Sequence, residues 1–168
     1  MKLVPLTRGY FAQVDDEDYP YLSQFKWYAT VHKRRDGTIK AVYAGRSIWV
    51  NGKWRTQRMH TVLAGKGADH KDGDGLNNQR HNLRSATSAQ NEYNQGLRCN
   101  NTSGFKGVSW HRQRQRWQAK IAFDGDNHFL GLFDTAVEAA KAYNATALVY
   151  HGGFARLNNI PEEVITAG

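Results

Sequence analysis

Apolar and polar positions alternate most regularly at 116–123. Trp117, Ala119, Ile121 and Phe123 fall on one side, and Arg116, Gln118, Lys120 and Ala122 on the other. Successive side chains of a strand point to opposite faces, so this run predicts a strand with one buried and one polar face. The stretches 106–110 and 128–133 read as two flanking strands, with Asp124-Gly125-Asp126-Asn127 as the turn before the last. The period then changes. Ala136, Ala139, Ala140, Tyr143, Ala147 and Tyr150 recur near the 3.6 spacing of a helix from Thr135 to about His151. Asp134 is its expected cap and Gly152-Gly153 its stop. Alanines on one face would let such a helix approach a sheet closely.

Residues 1–64 read as β-rich. Asp36-Gly37 and Asn51-Gly52 favour the positive φ angles of tight hairpin turns, and the second joins an antiparallel pair at 46–50 and 53–60. Asp15, Asp16, Glu17 and Asp18 precede Tyr-Pro-Tyr-Leu, which predicts a short helix whose acidic first turn complements the helix dipole. The acids are read as capping, because four adjacent carboxylates cannot easily converge on one ion. From 65 to 95 the order is a short strand at 68–70, a Gly/Asp/Asn-rich loop at 71–82, a returning strand at 83–86, and a helix. Thr87 or Ser88 caps that helix and Gly96 ends it near Gln95. A polar linker, 98–104, follows. No internal repeat is present. The class is α+β: a β-rich N-terminal region with a strand–loop–strand–helix core, then a small three-stranded antiparallel sheet plus one helix.

Charge narrows the partners. The chain carries 23 Lys and Arg against 15 Asp and Glu, a net +8 that attracts polyanions. Lys106, Arg112, Arg114, Arg116 and Lys120 form a run without an acid. No apolar stretch approaches the roughly 18–20 residues of a membrane span, and the N-terminus has no apolar segment of signal-peptide length. A cytoplasmic protein without a membrane partner is therefore expected. The single cysteine, Cys99, excludes an intramolecular disulfide and a multi-cysteine zinc site.

Asp69-His70 is the candidate chemistry. Hydrolysis of a phosphodiester needs a cation beside the scissile phosphate and a base that takes a proton from water near neutral pH. Histidine suits the second task. A hard cation such as Mg²⁺ prefers oxygen, so a carboxylate and an amide can hold it. Neighbours on a flat strand point to opposite faces. Asp69 and His70 thus need a local twist, or a cation on one side of the phosphate and the base on the other. Asp72 and Asp74 resemble a calcium loop superficially but lack its full ligand series, so turn formation is their expected duty.

The stretch 59–94 resembles the HNH endonucleases of the ββα-metal superfamily, especially phage and intron-encoded ones. The carriers are Met59-His60, Asp69-His70, Asp72-Gly73-Asp74-Gly75 with Asn77-Asn78, Asn82-Leu83-Arg84, and Asn91. The resemblance implies a ββα-metal nuclease core with His70 as general base. It implies Asp69 and Asn91 as ligands of Mg²⁺, Mn²⁺ or another divalent cation, and Asn82 as the clamp of the long loop. Asn94, one helical turn on, is the competing ligand. It further implies a homing-type enzyme, phage- or mobile-element-encoded, that nicks or cuts double-stranded DNA. Arg55, Arg58 and His60 are expected DNA contacts, and a monomer is expected.

Residues 101–158 resemble the Apetala-two DNA-binding domain of plant ethylene-response factors. The carriers are Ser103-Gly104-Phe105-Lys106-Gly107-Val108, Trp117-Gln118-Ala119-Lys120-Ile121, Leu130-Gly131-Leu132-Phe133-Asp134-Thr135 and Ala139-Ala140-Lys141-Ala142-Tyr143-Asn144. In that family a three-stranded sheet lies in the major groove. The resemblance would turn Ser109, His111, Arg112, Arg114, Arg116, Gln118 and Lys120 toward DNA. Ser109, Gln118 and Phe129 depart from the plant pattern, so the plant target is not carried over. The expected organisation is a nuclease domain over 1–98, a linker at 99–104 and a DNA-binding domain over 105–168. The rival readings are a non-catalytic DNA-binding protein that keeps the HNH fold, and a small RNA-binding protein.

Overall fold

The chain opens with an antiparallel pair, β1 (Lys2–Pro5) and β2 (Phe11–Val14), followed by a single-turn helix, α1 (Tyr19–Leu22). Next comes a sheet of β3 (Tyr28–Lys33), β4 (Ile39–Val50) and β5 (Lys53–Arg58), in the order β3-β4-β5. Helix α2 (Met59–Ala64) leads to a short ribbon, β6 (Ala68–His70) and β7 (Leu83–Ser85), and then to α3 (Ser88–Asn94). The last sheet contains β8 (Val108–His111), β9 (Arg116–Phe123) and β10 (Asp126–Phe133), with β9 in the centre, and α4 (Ala136–His151) follows it, ahead of a short 3-10 turn, Gly152–Phe154. This computed structural model describes residues 1–161, and 162–168 of the expected second domain lie outside the described residues. The architecture is α+β, with small antiparallel sheets as the patterning predicts.

The chain divides into two units, Met1–Asn91 and Glu92–Gly168, so the expected linker at 99–104 falls within the second. In the first, Val4, Ala12, Val14, Leu22, Trp27, Ala44 and Met59 form the buried core. Trp27 enters it with its Nε1 satisfied, donating to the Leu22 carbonyl at 2.8 Å. Asn51 and Gly52 both take positive φ (49° and 74°), as a primed two-residue turn between β4 and β5 requires. The expected strand to residue 60 stops at Arg58. Met59 and His60 instead start α2 and are buried, because the helix turns both side chains inward.

The capping reading of the early acids is corrected. Asp18 makes no side-chain cap bond to α1. Asp15 accepts from Gln79 Nε2 at 3.0 Å and from the Arg80 amide at 2.8 Å, and Asp18 pairs with the Arg80 guanidinium at 2.6 Å. These acids moor the distal end of the 71–82 loop. Thr135, rather than Asp134, is the N-cap of α4. It exchanges bonds with Glu138 in a capping box, while Asp134 accepts from Arg116.

In the second unit Val108, Ala119, Ile121, Ala139, Ala140, Tyr143 and Ala147 are buried between the sheet and α4. Gly107 shows how closely the helix sits. Its φ is +75°, and a Cβ there would collide with the Tyr143 ring and the Lys120 carbonyl. The turn into β10 is the two residues Asp124 and Gly125, both at positive φ, so the strand starts earlier than the four-residue turn predicts.

Candidate active site and nucleic-acid face

The β6–β7 ribbon sets Asp69 opposite Arg84 and His70 opposite Leu83. Residues directly opposite share a face, so Asp69 and His70 point to opposite sides of the ribbon. Asp69 Oδ2 accepts from Arg84 Nε at 3.0 Å and Nη2 at 2.9 Å, and both side chains are largely buried.

His70 is only 5% exposed. It meets His60 edge to face at 4.8 Å between centroids, and Tyr43 at 6.0 Å. Its Nε2 lies 3.4 Å from Oδ1 of the fully buried Asn78. Burial pushes the imidazole of His70 below its ordinary pKa, against the opposing pull of Asn78 and of Asp72, Asp69 and Asp74. His60 is pushed down to about 4, first by burial and then by the charges of His70 and Arg58. Both rings are therefore neutral at pH 7, and a neutral imidazole can accept a proton.

Asn82 holds the loop between the ribbon strands. Its Nδ2 donates to Asp72 Oδ1 at 2.9 Å and to the Asn77 carbonyl at 2.8 Å, and its Oδ1 accepts from the Asp72 amide at 3.1 Å. Burial raises the Asp72 carboxyl, but donors from Asp74, Asn82 and Asn77 outweigh it and hold the group below the usual range. The loop is pinned on its other side by Gln13, whose amide donates to the Leu76 carbonyl and whose carbonyl accepts from the Asn78 amide, each at 2.8 Å. Gly75 completes the fit, since a Cβ there would strike the Tyr43 ring and the Val42 carbonyl.

Asn91 Oδ1 is buried and has no hydrogen-bond partner among the described residues. An orphaned amide oxygen costs about 1–3 kcal/mol unless something satisfies it. A hard divalent cation takes oxygen ligands of this kind, so Asn91 and the Asp69 carboxylate fit one in donor chemistry. Asn94 is also buried.

Of the expected DNA contacts in this unit, His60 is buried against His70 and Tyr43, which leaves it little surface to offer. Arg58 and Arg55 are exposed, three positions apart on β5 and so on opposite faces. Arg58 lies over the Tyr43 ring at 5.0 Å.

In the second unit the polar face of the sheet lies away from α4. Gln118 Nε2 donates to Ser109 Oγ at 3.1 Å, and His111 Nδ1 accepts from the Arg114 amide at 3.4 Å. His111, Arg114, Gln118, Lys120, Phe129 and Leu132 line one shallow depression. Arg112 is exposed, and Arg116 pairs with the exposed Asp134. Lys106 leaves the basic run. Its ammonium donates to the carbonyls of Tyr93 and Gln95 at the end of α3, and burial depresses it to about 8.

Over 88 residues the chain is 38% identical to protein 3.8 of Escherichia phage T7, covering 52% of this chain and 72% of that protein. The chain belongs to the family of that phage protein. It is also 29% identical over 160 residues to an uncharacterized HNH endonuclease of Acanthamoeba polyphaga mimivirus, covering 91% of this chain and 77% of the relative. Over 57 residues it is 39% identical to APETALA2-like protein 2 of Oryza sativa, covering 34% of this chain but only 13% of the plant protein. No family model and no solved structure matches the chain.

Reasoning from sequence assigned no role to Asn78, Arg84 or Tyr43. Asn78 and Arg84 stand inside the motif, next to Asn77 and Leu83, and their adjacency was the available signal. Tyr43 reaches the histidines from another sheet, and no local pattern announces it.

Proposed function

We propose that this family member is a divalent-metal-dependent DNA endonuclease, with the first unit cutting and the second positioning the cut. The observation that carries this reading is His70: buried, neutral, fixed by Asn78 and set beside a loop that Asn82 clamps. The mimivirus relative named as an HNH endonuclease supports a nuclease in general, and the plant relatives support DNA as the partner. His70 takes a proton from the attacking water as the new oxygen–phosphorus bond forms and the 3′ oxygen departs. Asp69 and Asn91 would hold a divalent cation, which supplies positive charge to the phosphate oxygens. Arg84 orients the Asp69 carboxylate through two hydrogen bonds. Lys120, Gln118 and Arg114 contact the major groove from the outer face of the second sheet.

The test is incubation of the chain with supercoiled plasmid, with Mg²⁺ and with EDTA. Nicked or linear product with Mg²⁺ alone is expected. Intact supercoiled DNA under both conditions refutes the enzyme, and equal cleavage in EDTA refutes the metal.

A further inference from the structure

β4 and β5 outrun their sheet. β3 pairs with β4 only as far as Gly45, while β4 and β5 stay paired out to Val50 and Lys53. Residues 46–57 thus form a two-stranded arm without a third strand. Near its end Trp49 stands directly opposite Trp54, the rings edge to face at 5.2 Å between centroids. They are 59% and 69% exposed, and neither joins an apolar cluster among the described residues. An edge-to-face pair uses one face of one ring, so flat indole surface remains turned to solvent.

The chain on either side of the pair is cationic. From Gly37 to Ala68 the chain has no Asp or Glu and carries Lys40, Arg46, Lys53, Arg55, Arg58 and Lys66. Flat aromatic surface among cations is the chemistry that holds a single nucleic-acid strand: cations follow the phosphates and ring faces stack on bases. Strand alternation also fixes a direction. Trp49, Ser47 and Tyr43 share one face of β4, as do Trp54, Thr56 and Arg58 of β5. Tyr43 on that face touches both His60 and His70. From Tyr43 to Trp49 the strand rises about 20 Å, the length of about six nucleotides of a stacked strand.

We infer that the Trp49–Trp54 tip is a stacking site for unpaired bases of the DNA, about six nucleotides from His70. This inference rests on the reading of the chain as a DNA-binding nuclease. In an intact duplex the bases are already stacked on one another, and the indoles find no open face. In a gap or an opened segment they do.

The experiment measures binding of the full chain, in EDTA to prevent cutting, to a labelled intact duplex and to the same duplex with a six-nucleotide gap. The gapped DNA should bind more tightly by on the order of tenfold. The double variant Trp49→Val/Trp54→Val keeps strand-forming side chains without ring faces and should bind both DNAs equally. The variant Trp49→Phe/Trp54→Phe should recover most of the preference. Equal binding of the two DNAs by the unsubstituted chain overturns the inference whatever the variants do, and so does a preference that survives in the valine variant. Failure to bind either DNA overturns the underlying DNA reading instead.

Discussion

The two units bury contrasting kinds of side chain, one at the β6–β7 ribbon and its loop, the other between its sheet and α4. Along the β6–β7 ribbon and its loop the first unit packs two imidazoles, two asparagines, a carboxylate–guanidinium pair and a tyrosine ring. Between its sheet and α4 the second unit packs alanines, a valine, an isoleucine and a tyrosine. Apolar contacts are non-directional and gain in proportion to the area removed from water. Buried hydrogen bonds are directional, and each costs most when one partner is lost. The first arrangement holds individual atoms at set distances and is sensitive to proton and partner. The second holds a surface steady and is sensitive to volume.

Substitutions should expose that contrast. The largest effect belongs to His70→Ala, which should lower plasmid cleavage by on the order of 10²–10⁴-fold while duplex affinity in a gel shift stays put. Cleavage at the original rate would remove His70 from the mechanism. On the apolar side, Gly107→Ala forces a β-carbon into the Tyr143 ring at φ +75° and should destabilise by roughly 2–4 kcal/mol in urea unfolding. An unchanged midpoint would mean that α4 is seated loosely.

Acid should act on the polar unit. His60 has a folded pKa of about 4, below its ordinary 6.5, so the unfolded chain binds a proton that the folded one refuses. Its contribution is whole above pH 6.5 and shrinks as pH falls toward 4, by up to about 3 kcal/mol. His70, also depressed by burial, acts in the same direction. Urea midpoints at descending pH would show the decline, and His60→Gln should flatten it. A curve equally steep in that variant would assign the acid sensitivity elsewhere. The smallest effect is Asn82→Ala, which removes the acceptor of the Asp72 amide and a donor to the Asn77 carbonyl and should cost about 1–3 kcal/mol in a melt. A melt indistinguishable from the unsubstituted chain would show that the loop holds without this clamp.

How much the sequence reveals follows the same division. The strand at 116–123, the helix ending at His151 and the Asn51-Gly52 turn were legible because each depends on neighbours along the chain. The motif at 69–91 directed attention to Asp69, His70 and Asn82, around which the polar bonds gather. The early acids were misread because Arg80, the partner of Asp18, stands 62 residues away. Lys106 read as part of a basic surface because nothing nearby in sequence tells of the carbonyls of Tyr93 and Gln95 that draw it inward. Tyr43 was silent for the same reason.

The alanine seat of α4 has one more effect. Ala139, Ala140 and Ala147 have no rotamers to lose, and the Tyr143 ring among them is held against Gly107. The brace behind the basic face is therefore stiff at little entropic cost of its own. When the outer face meets a partner, only its long side chains, Arg114, Gln118 and Lys120 among them, have freedom left to surrender. The platform's share of the ordering was settled when the chain folded.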